Sequence, residues 1–229
     1  MPFMPIHDDN ERTRIETPFV TWGAILLCVV AFIWQAGLPE AVEYRRLLAL
    51  GFVPGRLLGE LHLRPDLVIL PASFSLVTTQ FLHGDFAHLL GNMAFLYIFG
   101  DNVEDAMGHL RFAAFFLLCG VLAALAHGLT DPSSAVPLIG ASGAISGILG
   151  AYLVLSPRAR ILVLFFVVPL RLPAWLLVAG WFAVQFFFGL STFGEDAKVA
   201  YWAHIGGFAA GIALLPFFRV AAPRPDGAG

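Results

Sequence analysis

Charge is scarce in this chain. Only 13% of its 229 residues are Asp, Glu, Lys or Arg, about half the share of an ordinary soluble domain. The formal net charge is −3, which offers no electrostatic footprint for nucleic acid, and no nucleic-acid partner is expected. Cysteine is nearly absent. Cys28 and Cys119 both lie in apolar segments, so they read as small buried hydrophobes and exclude a disulfide framework. A secretory leader is lacking too: Met1 to Thr17 is polar and of mixed charge, without the short apolar core of a signal peptide. The first long apolar stretch is therefore expected to be retained. What the chain has instead is oil: 59% of residues are hydrophobic and the mean hydropathy is +0.81. That combination describes a multispan membrane protein.

A membrane-crossing helix needs about 20 mostly apolar residues. Phe19 to Leu38, Leu82 to Gly100, Phe112 to Leu129, Pro173 to Leu190 and Tyr201 to Phe218 answer to this, and Ser142 to Leu155 adds a sixth apolar segment. Asp101, Glu104 and Asp105 are expected to end the second span and bond a neighbouring loop. Pro39 to Gln80 carries Arg45, Arg46, Arg56 and Arg64 among Leu and Val. It is too polar to span and too apolar for a free linker, and reads as a long folded loop in the membrane interface with short amphipathic helices. Ile161 to Leu170 is flanked by Arg160 and Arg171 and followed by Pro173. Proline and arginine there argue against one helix continuous with the fifth span, and for an interfacial loop or hairpin. The fold class expected is an all-α membrane protein of six transmembrane helices. Residues 1–18 form a cytoplasmic segment, 19–219 the membrane domain, and 220–229 a Pro/Gly-rich tail expected to be disordered.

Orientation follows from Lys and Arg in short loops. With both termini inside, the inner segments hold Arg12, Arg14, Arg111, Arg158, Arg160, Arg171, Arg219 and Arg224, against Lys198 and four first-loop arginines outside: eight to five. The termini are expected to be cytoplasmic, and the location a bacterial inner membrane.

Two Gly-rich polar motifs break the apolar pattern. GASGAISG runs from Gly140 to Gly147 with Ser142 inside it, and AHIGG runs from Ala203 to Gly207 with His204 inside it. Spans two, four and six all run in the same direction, and each carries its unusual polar residues near its start: His83, His88 and Asn92, then Ser142, then His204. Ionisable and polar groups inside a span are costly and point to function. Ser142 lies 16 residues before Arg158, and His204 15 before Arg219. At 1.5 Å per residue these are about 24 and 22 Å of helix. With a hydrocarbon core of about 30 Å, both side chains fall at matching depth below the far surface. Gly143 with Gly147, and Ala203 with Gly207 and Gly211, form small-residue faces that let two helices approach closely. If those faces meet, serine and histidine are neighbours.

A serine hydroxyl becomes a nucleophile when a base removes its proton, and a neutral imidazole in hydrogen-bond reach can do so. Glu195 and Asp196 are the only acids near His204 in sequence and sit in the preceding loop, so a dyad is expected in place of a triad. An oxyanion needs donors. Ser142 opens a helix, where backbone N–H groups are free, and Asn92 and His88 lie one turn apart on one face. Each residue also has a bland reading: Ser142 as a helix cap, His204 on a backbone carbonyl, Asn92 as interhelical glue, His83 as a loop histidine without a direct part in the chemistry. Together they resist those readings.

At this point the chain resembles the rhomboid family of intramembrane serine proteases. The matching pieces are HGDFAHLLGNM (His83 to Met93), FGDNVEDAMG (Phe99 to Gly108), GASGAISG and AHIGGFAAG (Ala203 to Gly211). The resemblance implies a six-helix rhomboid-like bundle, with Ser142 as nucleophile and His204 as general base and acid. It implies Asn92 and His88 as oxyanion stabilisers with the Ser142 N–H, Gly140 and Gly143 as the glycines flanking the nucleophile, and transmembrane segments of other proteins as substrates. No cofactor or metal is expected. Two departures are visible. Some members carry a tyrosine four residues after the nucleophile, packed on the histidine, where this chain has Ser146. A Trp-Arg pair common in the first loop is replaced by Arg45-Arg46. The competing reading is a non-catalytic rhomboid-like protein that binds transmembrane clients; such proteins typically lose the serine or the histidine, and both are kept here. A transporter would show an internal repeat and charges at mid-depth, and neither is found.

Overall fold

The computed structural model describes residues 3–191 and 200–220. Among the described residues, nine α-helices and three strands follow in the order β1 (Phe3–Asp8), α1 (Phe19–Ala36), α2 (Glu40–Leu50), α3 (Pro54–Leu57), α4 (Ser75–Thr78), α5 (Phe86–Met107), α6 (His109–Gly128), α7 (Ser142–Leu155), β2 (Arg160–Phe165), β3 (Val168–Pro173), α8 (Ala174–Ser191) and α9 (Tyr201–Phe218). Helices α1, α6, α8 and α9 are each long and apolar enough to cross a membrane. A fifth crossing is added if Pro65–Phe81 and Phe86–Met107, bent by 81°, form one span. Helix α7 is apolar but has only 14 residues, about 21 Å at the helical rise.

The short helix is the centre of the molecule. From Gly143 to Tyr152 every residue of α7 is buried, and its main neighbours are α9, α6 and α5. Glycine makes this possible. A Cβ on Gly207 would run into the carbonyl of Gly143, and one on Gly211 into the carbonyl of Gly147, so the two small-residue faces meet and bring the α7 and α9 backbones together. Dispersion contacts between close backbones take the place of a hydrophobic drive that lipid does not supply.

Two features shift the second helix from its expected bounds. Asp85 caps α5, its carboxylate accepting the His88 backbone N–H at 2.8 Å, so the helix opens at Phe86 and leaves Leu82 to Asp85 outside. At the other end the acids do not stop it. Helix α5 runs on to Met107, and Gly108, at φ 75°, turns the chain directly into α6. Asp105 instead accepts the backbone N–H groups of Thr13, Arg14 and Ile15 at 3.0, 2.7 and 2.8 Å. Glu104, fully buried, accepts those of Val20 and Thr21 at 3.0 and 2.8 Å. The second acid thereby caps α1, which opens after Pro18 with no side-chain cap of its own, and places negative charge at the positive end of a helix.

Residues 160–173 form a hairpin, β2 against β3, with Phe166 at φ 54° in its turn. Beyond the expectation from sequence, β1 pairs antiparallel with β2 and makes a three-stranded sheet in an otherwise helical protein. Asp8, at the end of β1, accepts from the Tyr152 hydroxyl at 2.6 Å and the Asn102 amide at 2.9 Å. The polar N-terminal segment is thus tied to α5 and α7. The first loop folds into α2, α3, α4 and short 3₁₀ turns. Arg56 binds it together, donating to the carbonyls of Leu48, Ala49 and Leu70, while Arg45 and Arg46 stay exposed. The tail expected at residues 220–229 lies outside the described residues from 221 onward.

Candidate functional site

Ser142 is the first residue of α7, where the amides at the helix N-terminus lack intrahelical acceptors and the dipole is positive. Its hydroxyl lies 2.9 Å from Nε2 of His204 on α9. The close approach of Gly207, one turn after His204, to Gly143, next to Ser142, brings the two helices together at this point. His204 is buried, at 6% exposure, and its other ring nitrogen, Nδ1, lies 2.7 Å from Oε1 of Gln185 on α8. An amide oxygen only accepts, so Nδ1–H donates to Gln185 and Nε2 keeps the lone pair that accepts the Ser142 O–H. The indole of Trp181, one turn before Gln185, packs on the imidazole with ring centroids 5.8 Å apart.

The second group comes from α5. Gly140, two residues before the serine, has φ 120°, a conformation that side chains rarely tolerate. A Cβ there would stand 2.8 Å from the His88 ring and 3.6 Å from Asn92 Nδ2, so both polar side chains lie against the backbone that leads into α7 at Ser142. Asn92 is itself held. Its Nδ2 donates to Nε2 of His83 at 2.9 Å, and the Nδ1–H of His83 donates to the Phe81 carbonyl at 3.3 Å. His83 is fully buried, its backbone bracketed by Gln35 of α1, and its ring stands edge-on to His88 at 5.1 Å. The structure therefore draws Ser142 and His204 together, and His88, Asn92 and Gly140 beside them, while Gly143 serves the α7–α9 contact.

Three residues went unnoticed in the sequence or were assigned elsewhere. His83 lies in the loop before α5, as expected, but it is buried there and supports Asn92. Gln185 and Trp181 hold the imidazole, the task that a tyrosine at position 146 would have performed. Ser146 turns away, its hydroxyl donating to the Ser142 carbonyl at 2.6 Å. A signal for Gln185 was available: it is the one amide side chain in α8, on the stripe that buries Leu177, Val178 and Trp181. Among the described residues no carboxylate bonds His204, and Glu195 and Asp196 lie outside them. A cavity of about 1110 Å³ opens elsewhere, beneath residues 7–16 and against Trp22, Tyr97 and Asp101; none of the residues above lines it.

A sequence model of the Rhomboid domain matches residues 72–220, from the end of the first loop to the end of α9. The chain belongs to the rhomboid family. Among curated relatives, this rhomboid chain is 38% identical over 78 residues to RHOMBOID-like protein 5 of Arabidopsis thaliana, covering 34% of this chain and 25% of that one. It is 33% identical over 103 residues to Rhomboid protein 1, mitochondrial, of Saccharomyces cerevisiae, with 43% and 30% covered. With Rhomboid protease GluP of Bacillus subtilis it shares 39% over 89 residues, 38% and 17% of the two chains. The aligned stretch thus spans between about a sixth and a third of the length of these relatives. Family and apolar helices together make the rhomboid chain an integral membrane protein.

Proposed function

We propose that this protein is an intramembrane serine endopeptidase that hydrolyses peptide bonds in or near transmembrane segments of other membrane proteins, through a Ser142–His204 dyad. The observation that supports this most is the 2.9 Å approach of Ser142 Oγ to His204 Nε2, at the start of a short, buried helix. In this reading residues 19–219 are the protease domain, six helices (α1, α5, α6, α7, α8 and α9) cross the bilayer, the first loop lies in its interface, and both termini face the cytoplasm of a bacterial cell.

His204 takes the hydroxyl proton as Oγ attacks the scissile carbonyl carbon. The oxyanion that forms is met by the Ser142 backbone N–H, the free amide N–H of Asn92 and the ring N–H of His88. The imidazolium then gives its proton to the departing amine, leaving an acyl-serine. Water enters, loses a proton to His204 and attacks the acyl carbon; the C–Oγ bond then breaks, Oγ takes the proton back from the imidazolium, and the new carboxyl terminus leaves. Gly140 leaves room for His88 beside the backbone, and Gly207 lets α9 close on the helix that carries the nucleophile. No step requires a cofactor or metal.

The experiment is cleavage of a single-span reporter by the purified protein in liposomes, with Ser142→Ala and His204→Ala in parallel. Cleavage by the parent alone supports the reading. Cleavage that survives Ser142→Ala removes the nucleophile, and a folded parent that binds the reporter without cutting it favours the client-binding alternative.

A further inference from the structure

The geometry points to Gln185 as the positioning residue for the base: its side-chain oxygen fixes the His204 tautomer and ring plane, the part that a carboxylate plays in a triad. The inference rests on His204 acting as the general base. In a dyad nothing inherent in the serine decides which imidazole nitrogen carries the proton. If Nε2 carried it, the ring would donate to Ser142 and could not accept its proton. The oxygen of Gln185, 2.7 Å from Nδ1, takes the proton on that side and leaves Nε2 free.

The surroundings make this contact hard to replace. Gln185 and His204 are each 6% exposed, so bulk water does not offer Nδ1 a substitute acceptor. Ser146 is engaged with the Ser142 carbonyl. Trp181 touches the ring but presents no acceptor there, because an indole nitrogen only donates. The other titratable groups that act on His204 are His88 of α5 and His127 of α6, and neither is its hydrogen-bond partner. A glutamine in a lipid-embedded helix is costly when unpaired, and on α8 it occupies the buried stripe beside Leu177, Val178 and Trp181. Among the described residues its side-chain oxygen finds its partner in His204.

The test is the reporter cleavage assay with the full chain in liposomes, run as kcat, KM and pH–rate profiles for the parent, Gln185→Leu, Gln185→Glu and Ser142→Ala. Gln185→Leu fills the same space without an acceptor; kcat is expected to fall about 10- to 100-fold with KM within about twofold of the parent. Gln185→Glu keeps an oxygen on Nδ1 and adds negative charge that favours the imidazolium. It is expected to restore most of kcat and to move the acid limb of the profile to higher pH. If Gln185→Leu fails to fold, Gln185→Glu decides by its profile. A Gln185→Leu enzyme with the parent's kcat, or a Gln185→Glu profile that coincides with the parent's, overturns the inference. Both outcomes leave the proposed function standing as long as the parent cuts and Ser142→Ala does not. Loss of cleavage by the parent itself overturns that function instead.

Discussion

Gly140 is the residue on which the two halves of the site lean. Its φ of 120° and the His88 ring 2.8 Å from where a Cβ would stand load any substitution twice, once in backbone strain and once in collision. Gly140→Ala is expected to destabilise the fold by about 1–3 kcal/mol and to displace His88, and thermal unfolding in detergent beside reporter cleavage checks both. The family resemblance singled out this glycine, and the concentration of polar residues near the starts of three spans singled out Ser142, His204, Asn92 and His88. The supports of those residues were harder to see. His83 in an apolar run looks the same whether it faces water or Asn92, and only tertiary packing distinguishes the two. Gln185 was passed over because it lies 19 positions before His204, and no local pattern links an amide on one helix to an imidazole on the next.

Among the elements, α5 is the one whose sequence was read correctly in composition and wrongly in extent. Asp101, Glu104 and Asp105 look like the polar end of a span when the chain is read alone. They remain helical because the N-terminal segment and the start of α1 supply N–H donors for their carboxylates, a partner some 90 residues away. Asp105→Ala removes an acceptor of three backbone N–H groups. At about 1.5–3 kcal/mol for hydrogen bonds to a charged group, residues 9–16 are expected to detach, and limited proteolysis of liposome-embedded protein reports it as a new cut there with the helices intact. Strand β1 adds a pH dependence. Burial pushes the Asp8 carboxyl up from 3.8 to about 6, against the Tyr152 hydroxyl hydrogen bond, which lowers it; Asp101 raises it further and His7 lowers it. A carboxyl whose folded value is raised binds its proton more tightly in the folded state. Its contribution is therefore full below pH 3.8 and is lost as pH rises to about 6, with no further change above. Hydrogen exchange in residues 3–8, corrected for intrinsic rates, is expected to show firmer docking at pH 4.5 than at pH 7.5. Asp8→Asn, which does not titrate, is expected to show the same docking at both.

At the scale of the whole molecule, the bundle could be read in advance because a membrane allows few alternatives: apolar runs must be helices there, and the glycine faces of α7 and α9 name their own contact. The three-stranded sheet could not be, since Phe3 to Asp8 has no partner within reach in sequence. The disposition across the bilayer is open to a direct check. Cys28 and Cys119 are fully buried, so introduced cysteines report on their own. Val136 lies between α6 and α7, and Val167 in the hairpin turn, at 52% and 84% exposure. With the arginine count holding the termini inside, a membrane-impermeant maleimide added to intact cells is expected to label Val136→Cys and spare Val167→Cys; the reverse pattern inverts the topology. The sheet also carries a consequence in time. Phe3 pairs with Phe165, and Asp8 with Ile161, so a strand made early in synthesis has nothing to pair with until α7 and the hairpin behind it have been made. Contacts of such sequence separation form slowly and late. The strand made first is the last to find its place, and until then its free edge is the part of the nascent protein that a chaperone, or a tag fused ahead of it, can hold back.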